Sequence, residues 1–92
     1  MKSTQLEDMF LHSKPVNILV QMKNGKKYAS ILSKEVDCTY SHTVRILQQM
    51  QKLGLVTFEK KGRIKMVTAT PFGEEIANLL DNLKKSFSKS EP

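Results

Sequence analysis

The sequence predicts a mainly α-helical domain with one small β-hairpin, an α+β fold. Apolar residues recur at helical spacing as far as Gly54, alternate with polar residues after it, and return to helical spacing after Pro71. With 92 residues, the chain has room for about one small domain. We expect that domain to span residues 1–88 and to be followed by a disordered tail at residues 89–92.

The first predicted helix is short and amphipathic. Leu6, Met9 and Phe10 lie at positions i, i+3 and i+4, and Ser3 or Thr4 is available as its N-cap. The helix must end or bend before Pro15, because a proline inside a helix removes a backbone hydrogen bond.

A second, strongly apolar helix is predicted from Pro15 to about Lys23. Proline favours the first turn of a helix, and Ser13 can serve as the N-cap. The Asn24-Gly25 pair then ends the helix.

Two more helices are expected before Gly54. The third begins near Lys27, ends at residues 36–38, and has its apolar positions at Tyr28, Ile31, Leu32 and Val36. The fourth runs from Thr39, its predicted N-cap, to Leu53 and carries Val44, Ile46, Leu47 and Met50 on one side. Gly54 suits the left-handed residue that commonly follows a helix.

The hairpin and a last helix complete the chain. Residues 55–59 and 64–68 read as two strands, joined by a tip at residues 60–63. Thr70-Pro71 repeats the signal of a cap followed by proline, and the helix after it is expected to fray from Ser86 onward.

This order of elements is that of a winged helix-turn-helix domain. The sequence from Tyr28 to Leu80, a little over half of the chain, also resembles the MarR/ArsR-type transcriptional regulators of archaea and bacteria. The residues that carry the resemblance are Tyr40-Ser41-His42, Lys52-Leu53-Gly54-Leu55-Val56 and Thr70-Pro71-Phe72-Gly73-Glu74 with Ala77. The resemblance implies a regulator that binds double-stranded DNA.

The chain departs from that pattern in two respects. Thr43 stands where a branched apolar residue is usual early in the recognition helix, so Val44 or Ile46 is expected to take over its packing. The chain also lacks the long additional helices of full-length MarR proteins, so no effector pocket between domains is expected.

Positive charge is concentrated in the middle of the chain. The formal net charge is +6, yet residues 23–65 alone hold ten basic and three acidic side chains, a net charge of +7. Such a block favours a localised anionic partner. Because the chain is short and contains no nucleophile-base pair, phosphate loop or carboxylate pair, we expect no enzymatic activity and no cofactor.

Three groups of residues are candidates for DNA contact. The polar side of the recognition helix, at about residues 39–53, is expected in the major groove, where Arg45 can pair with guanine and a glutamine with adenine. The hairpin tip, at about residues 59–65, would be the wing on the backbone or in the minor groove. The recognition-helix candidates are Thr39, Tyr40, Ser41, His42, Arg45, Gln48, Gln49 and Lys52, the wing candidates are Lys60, Lys61, Gly62, Arg63 and Lys65, and the weaker phosphate candidates are Lys26, Lys27, Tyr28 and Ser30.

The terminal helices hold more apolar surface than so small a domain needs for its own core. A two-fold homodimer through them would match palindromic DNA, and a monomer that buries the same residues is the alternative. The candidate dimerisation residues are Leu6, Met9, Phe10, Ile76, Leu79, Leu80, Leu83 and Phe87.

Several other functions are excluded or kept as alternatives. No apolar run is long enough to span a membrane, no signal peptide is recognised, and we expect a cytoplasmic protein. One cysteine and two distant histidines cannot form a structural zinc site. A protein-interaction or architectural module of the transcription or replication machinery, and a thiol sensor at Cys38, remain as alternatives.

Overall fold

The computed structural model describes residues 10–61 and 64–89, which form helices and a small antiparallel sheet. The α+β class and the winged helix-turn-helix order predicted from the sequence are confirmed. The elements are α1 (Ser13–Gln21), a 3-10 turn (Met22–Asn24), β1 (Lys27–Tyr28), α2 (Ala29–Glu35), α3 (Tyr40–Lys52), β2 (Val56–Lys61), β3 (Ile64–Ala69) and α4 (Pro71–Lys89).

The sheet has three strands in the order β1-β3-β2. Strands β2 and β3 pair antiparallel from Val56 opposite Ala69 to Lys61 opposite Ile64. Strand β1 pairs with the other edge of β3, with Lys27 opposite Val67. The sequence prediction that Lys27 and Tyr28 begin a helix is therefore wrong, because pairing with a distant strand holds them extended.

One apolar core joins the helices to the base of the hairpin. Its fully buried side chains come from every major element, and burying each contributes about 1.5–3 kcal/mol relative to exposure. The largest are Ile18, Leu19, Met22, Leu32, Leu47, Met50, Leu55, Val56 and Val67.

The ends of α3 follow the local signals in the sequence. The Thr39 side chain accepts a hydrogen bond from the His42 backbone N–H at 3.2 Å, which confirms Thr39 as the N-cap. Gly54 adopts a φ of +81°, the left-handed conformation expected after the helix.

At the start of α1, the predicted N-cap Ser13 is instead the first residue of the helix. The N-cap position is His12, which makes no side-chain hydrogen bond to the start of the helix.

The two sequence segments that flank the hairpin meet at its base. The Thr70 hydroxyl donates to the Gly54 carbonyl at 2.6 Å and accepts from the Gly73 N–H at 3.0 Å, which confirms the predicted cap of α4. At Gly73 a Cβ atom would lie far inside van der Waals contact with the Leu55 carbonyl oxygen. Helix α4 can begin against the hairpin only because this position has no side chain.

The core faces of α2 and α3 are rotated from those predicted. Tyr28 and Ile31 are substantially exposed, whereas Ala29 and Ser33 are buried beside Leu32. On α3, Thr43 itself is fully buried and Val44 only partly buried, so the expected transfer of its packing to Val44 is wrong, while Ile46 is buried as expected.

Helix α4 extends further than predicted. It remains helical through residues 86–89, where the sequence suggested fraying. At the other end, Phe10 packs against the core, while Leu6 and Met9 lie outside the described residues, as do the N-cap candidates Ser3 and Thr4.

Candidate nucleic-acid interface

The exposed face of α3 is a continuous polar stripe. Its buried face carries Thr43, Ile46, Leu47 and Met50. The side chains directly opposite occur at i, i+4, i+7 and i+11, a spacing that keeps residues on one side of a helix. We call them the α3 stripe: Ser41, Arg45, Gln48 and Lys52, all exposed.

The other recognition-helix candidates flank the α3 stripe. His42 and Gln49 are exposed on one side of it, and Tyr40 is about half exposed at the helix start. Thr39 uses its hydroxyl oxygen to cap the helix, so its role in the fold is established.

The α3 stripe has no neutralising acid in its own part of the sequence. Residues 38–58 contain no Asp or Glu. Arg45 and Lys52 form no ion pair with any residue in the described ranges. Two cations are thus displayed among uncharged hydrogen-bonding groups, a combination that can contact both phosphates and base edges.

The hairpin carries a second cationic feature. Lys60 and Lys65 occupy directly opposite positions on β2 and β3. Like charges placed opposite each other destabilise a sheet, so this arrangement does not serve the stability of the hairpin. An anion bound between the two ammonium groups would relieve the repulsion.

The Lys60–Lys65 pair lies on the core side of the hairpin. Side chains alternate along a strand, so Lys60 shares a face with Phe58, and Lys65 with Val67, which is fully buried. The Lys65 ammonium lies 5.8 Å from the centre of the Phe58 ring. This face therefore changes from apolar at the hairpin base to cationic toward the tip.

The rest of the predicted wing can be placed only in part. The backbone of Lys61 ends β2, whereas Gly62 and Arg63 lie outside the described residues.

The phosphate candidates near α2 do not act as one group. Lys27 is mostly buried and donates to Glu35 at 2.6 Å. Because this ion pair within the fold neutralises its charge, Lys27 is no longer a candidate for phosphate contact. Lys26 is exposed but lies 3.6 Å from the Glu59 carboxylate. Tyr28 and Ser30 are exposed.

Sequence reasoning missed one candidate on α2. Lys34 is exposed, lies one turn after Ser30 on the same face, and makes no ion pair within the residues that the structure describes. Its position four residues from Ser30 would have been enough to identify it.

Helix α4 presents an apolar stripe next to its core-facing side. Gly73 and Ala77 are buried against the domain, and two of the predicted dimerisation residues, Ile76 and Leu80, pack partly against the core. The remaining predicted dimerisation residues on α4 are exposed, Leu79 by 59%, Leu83 by 49% and Phe87 by 63%, and the neighbouring Phe72 is exposed by 41%.

Polar contacts hold α4 to the N-terminal half. Asp81 accepts from Lys23 at 2.7 Å and lies 3.2 Å from Lys85, and Lys84 donates to Asn17 at 2.8 Å. The hydrogen bond from Lys23, followed by that from Lys85, lowers the pKa of Asp81. Three lysines outside the α3 stripe, Lys23, Lys84 and Lys85, are thereby engaged within the molecule.

Residues 10–61 and 64–89 contain no group of three or more His, Cys, Asp or Glu side chains able to hold a metal ion. None of the helices described there is long and apolar enough to cross a membrane.

Residues 5–73 match the family model of the winged helix DNA-binding domain. No curated protein sequence matches this chain.

Solved structures of similar fold include bacterial and archaeal proteins. A MarR family transcriptional regulator from Silicibacter pomeroyi DSS-3 is 24% identical, with a TM-score of 0.78 over 96% of this chain and 68% of that one. A protein from Archaeoglobus fulgidus is 20% identical, with a TM-score of 0.76 over 80% of this chain and 87% of that one. The homodimeric winged helix-turn-helix DNA-binding domain of a possible ArsR-family regulator from Mycobacterium bovis is 14% identical, with a TM-score of 0.73 over 99% of this chain and 82% of that one. These likenesses show a shared fold.

Proposed function

Because this chain belongs to the winged helix DNA-binding domain family, we propose that it is a transcription regulator that binds double-stranded DNA sequence-specifically, as a dimeric repressor. The observation that carries the proposal is the α3 stripe, an exposed, acid-free face of two cations and two uncharged hydrogen-bonding residues.

In this proposal α3 lies in the major groove. Arg45 can donate two hydrogen bonds to the guanine O6 and N7 atoms, and Gln48 can pair with the adenine N6 and N7 atoms. Each good bidentate contact discriminates against a wrong base by about 1–3 kcal/mol. Ser41 and Lys52, at the two ends of the stripe, would contact the backbone and fix the register.

The hairpin supplies affinity that does not depend on sequence. Lys60 and Lys65 would place two ammonium groups on the phosphate backbone or at the adjacent minor groove, with Lys61 and Arg63 as further members of the wing. Each phosphate neutralised by a lysine steepens the dependence of binding on salt by about one unit in log–log slope.

A selected duplex and a scrambled duplex test both roles. Arg45→Ala should weaken binding to the selected duplex and relax the preference at one base pair, whereas Lys60→Ala should weaken both duplexes alike and flatten the salt slope. Lys85→Ala removes the same charge from α4 and is the matched control, expected to leave the affinity nearly unchanged. Unchanged affinity in both Arg45→Ala and Lys60→Ala would contradict the proposal.

The proposed dimer uses the exposed stripe of α4. Leu79 and Leu83 are each about half exposed or more, a costly arrangement for large apolar side chains unless another surface covers them. A second copy of the chain is the proposed occupant, because paired recognition helices about 34 Å apart would match a palindromic site. The homodimeric domain from Mycobacterium bovis has the same fold.

Sedimentation equilibrium tests the dimer. Leu79→Lys should convert a dimer into a monomer without unfolding it, since the side chain is largely exposed within one chain. Asn78→Lys adds the same charge at an exposed position about 100° around the helix from Leu79, and it should leave the mass unchanged. A wild-type protein that is monomeric at micromolar concentration would overturn this part of the proposal.

Repression and the alternative roles are separated by three further measurements. A repressor should block transcription from a template that carries its selected site, in proportion to site occupancy. A mobility shift with no sequence preference would instead support an architectural role, and an absence of any shift would support a protein-interaction module. Unchanged DNA affinity in Cys38→Ser and after oxidation would dispose of the thiol-sensor alternative.

A further inference from the structure

A lysine outside the candidate interface holds the turn that leads into α3. The Lys14 ammonium, on α1, donates to the carbonyl oxygens of Val36 at 3.1 Å and Asp37 at 2.7 Å. These contacts join residues that are 22 and 23 positions apart in the chain. They connect the first described helix to the turn between α2 and α3.

That turn has an unusual backbone. Asp37 has a φ of +53° and is the one non-glycine residue with a positive φ in the described ranges. The Cys38 N–H donates back to the Ser33 carbonyl at 2.9 Å, and the Asp37 N–H to the Lys34 carbonyl at 3.3 Å. These bonds close the end of α2 in the pattern of a helix that stops on a left-handed residue.

The carbonyl groups of Val36 and Asp37 lie at the C-terminal end of α2, where the helix supplies no backbone N–H to bond them. Carbonyl oxygens at a helix C-terminus carry partial negative charge and have no partner within the helix. A lysine ammonium is well suited to them because it offers three donors and a positive charge. Lys14 therefore stabilises the conformation in which the chain leaves α2 for α3.

The position of α3 depends on this turn. Thr39, the N-cap of α3, comes directly after Cys38, so a change in the turn would shift or rotate the start of the helix. Base readout is sensitive to such a change because hydrogen bonds weaken steeply with distance and angle. Contacts to phosphates made by flexible lysines on the hairpin are much less sensitive.

We propose that Lys14 is a positioning residue for sequence readout: through the Val36 and Asp37 carbonyls it fixes the α2–α3 turn and hence the orientation of the α3 stripe. This inference rests on the proposed DNA-binding function. It assigns to α1 a role in specificity that requires no contact between Lys14 and DNA.

Lys23 provides the matched control. It also makes one long-range contact from the N-terminal half, to Asp81, but that contact holds α4 and lies away from the α2–α3 turn. Lys14→Met and Lys23→Met each remove one positive charge, together with the two long-range hydrogen bonds of Lys14 or the single ion pair of Lys23. Lys14→Arg keeps the charge and the capacity to donate to two carbonyls.

The experiment measures Kd for a selected and a scrambled duplex over a range of salt, with urea unfolding of each variant. Lys14→Met should reduce the ratio of specific to non-specific affinity about tenfold, comparable to the loss of one good base contact. The salt slope should stay the same, Lys14→Arg should restore the ratio, and Lys23→Met should not change it. If Lys14→Met does not fold, Lys14→Gln, which retains one neutral donor group, replaces it and should lower the ratio in the same direction.

The outcomes separate the inference from the proposed function. An unchanged ratio in the folded Lys14 variant, or a salt slope that falls by about one unit and so indicates a direct phosphate contact, would overturn the positioning role. A wild-type protein with no preference among duplexes would overturn the proposed function itself.

Discussion

The buried Thr43 hydroxyl makes a stabilising substitution predictable. Thr43 is fully buried on the core face of α3, and its Oγ1 atom has no hydrogen-bond partner among residues 10–61 and 64–89. Its backbone N–H is satisfied by the Thr39 carbonyl at 2.9 Å, so the unpaired group is the hydroxyl alone. Thr43→Val replaces that hydroxyl with a methyl group of nearly the same size.

The expected gain follows from the environment of that one atom. A buried polar group without a partner costs about 1–3 kcal/mol, and valine and threonine have similar helix propensities. We therefore expect the free energy of unfolding to rise by about 1–2 kcal/mol. For a domain of this size, each kcal/mol corresponds to an increase of roughly 4–8 °C in Tm.

Urea unfolding followed by circular dichroism measures this change. The midpoint should move to higher urea with an unchanged m-value, because the surface exposed on unfolding is nearly the same. Thr57→Val is the matched control, since Thr57 is exposed on β2 and its substitution should change stability by less than about 0.5 kcal/mol. A Thr43→Val protein that is less stable than the wild type would refute the reasoning, and one with altered DNA affinity would show that Thr43 does not belong to the core face alone.

Three further predictions follow from the fold. Gly73→Ala should lower the free energy of unfolding by about 1–3 kcal/mol, because the new Cβ would collide with the Leu55 carbonyl, and this outweighs the better helix propensity of alanine. Thermal melting tests this, and an unchanged Tm would contradict the close approach. Asp37→Gly should raise stability by roughly 0.5–1 kcal/mol in urea titration, since glycine adopts the positive φ without steric penalty; a loss of stability would argue against a strained turn. Asp81→Asn should reduce stability at neutral pH, and the variant should lose less stability than the wild type when the pH falls below about 4. The reason is that the bond from Lys23 lowers the pKa of Asp81 in the folded state, so the stabilisation disappears as the carboxylate is protonated. Parallel curves of stability against pH for the two proteins would contradict this.

Local signals in the sequence were reliable where one residue determines the backbone. The Thr39 cap, the left-handed Gly54 and the Thr70 cap of α4 were all predicted from residue type and position, and the structure confirms each. The alternating pattern after Gly54 also placed both strands of the hairpin to within about two residues.

The errors came from contacts between distant residues. The apolar ring of Tyr28 matches the helical period and so predicts a helix, but pairing with Met66 makes Tyr28 part of a strand. The sequence pattern transfers the packing of Thr43 to Val44 or Ile46, although the methyl group and backbone position of Thr43 place it in the core. For the candidate interface, the sequence predicts which residue types contact DNA. Only the fold shows that Lys27 forms an ion pair with Glu35 and that Lys60 lies opposite Lys65.

The hydrogen bond between Thr70 and Gly54 closes the hairpin at its base, so the length of the hairpin can change without disturbing the rest of the domain. Thr70 is bonded to Gly54 across sixteen positions, so the strands are already closed on each other before the chain reaches the tip. Doubling the number of residues in a flexible loop adds only about 0.6 kcal/mol of closure entropy. Insertions or replacements at the tip can therefore change the length of the hairpin while α3 and α4 keep their places. In the proposed complex with DNA, they would change how far the hairpin extends along the duplex.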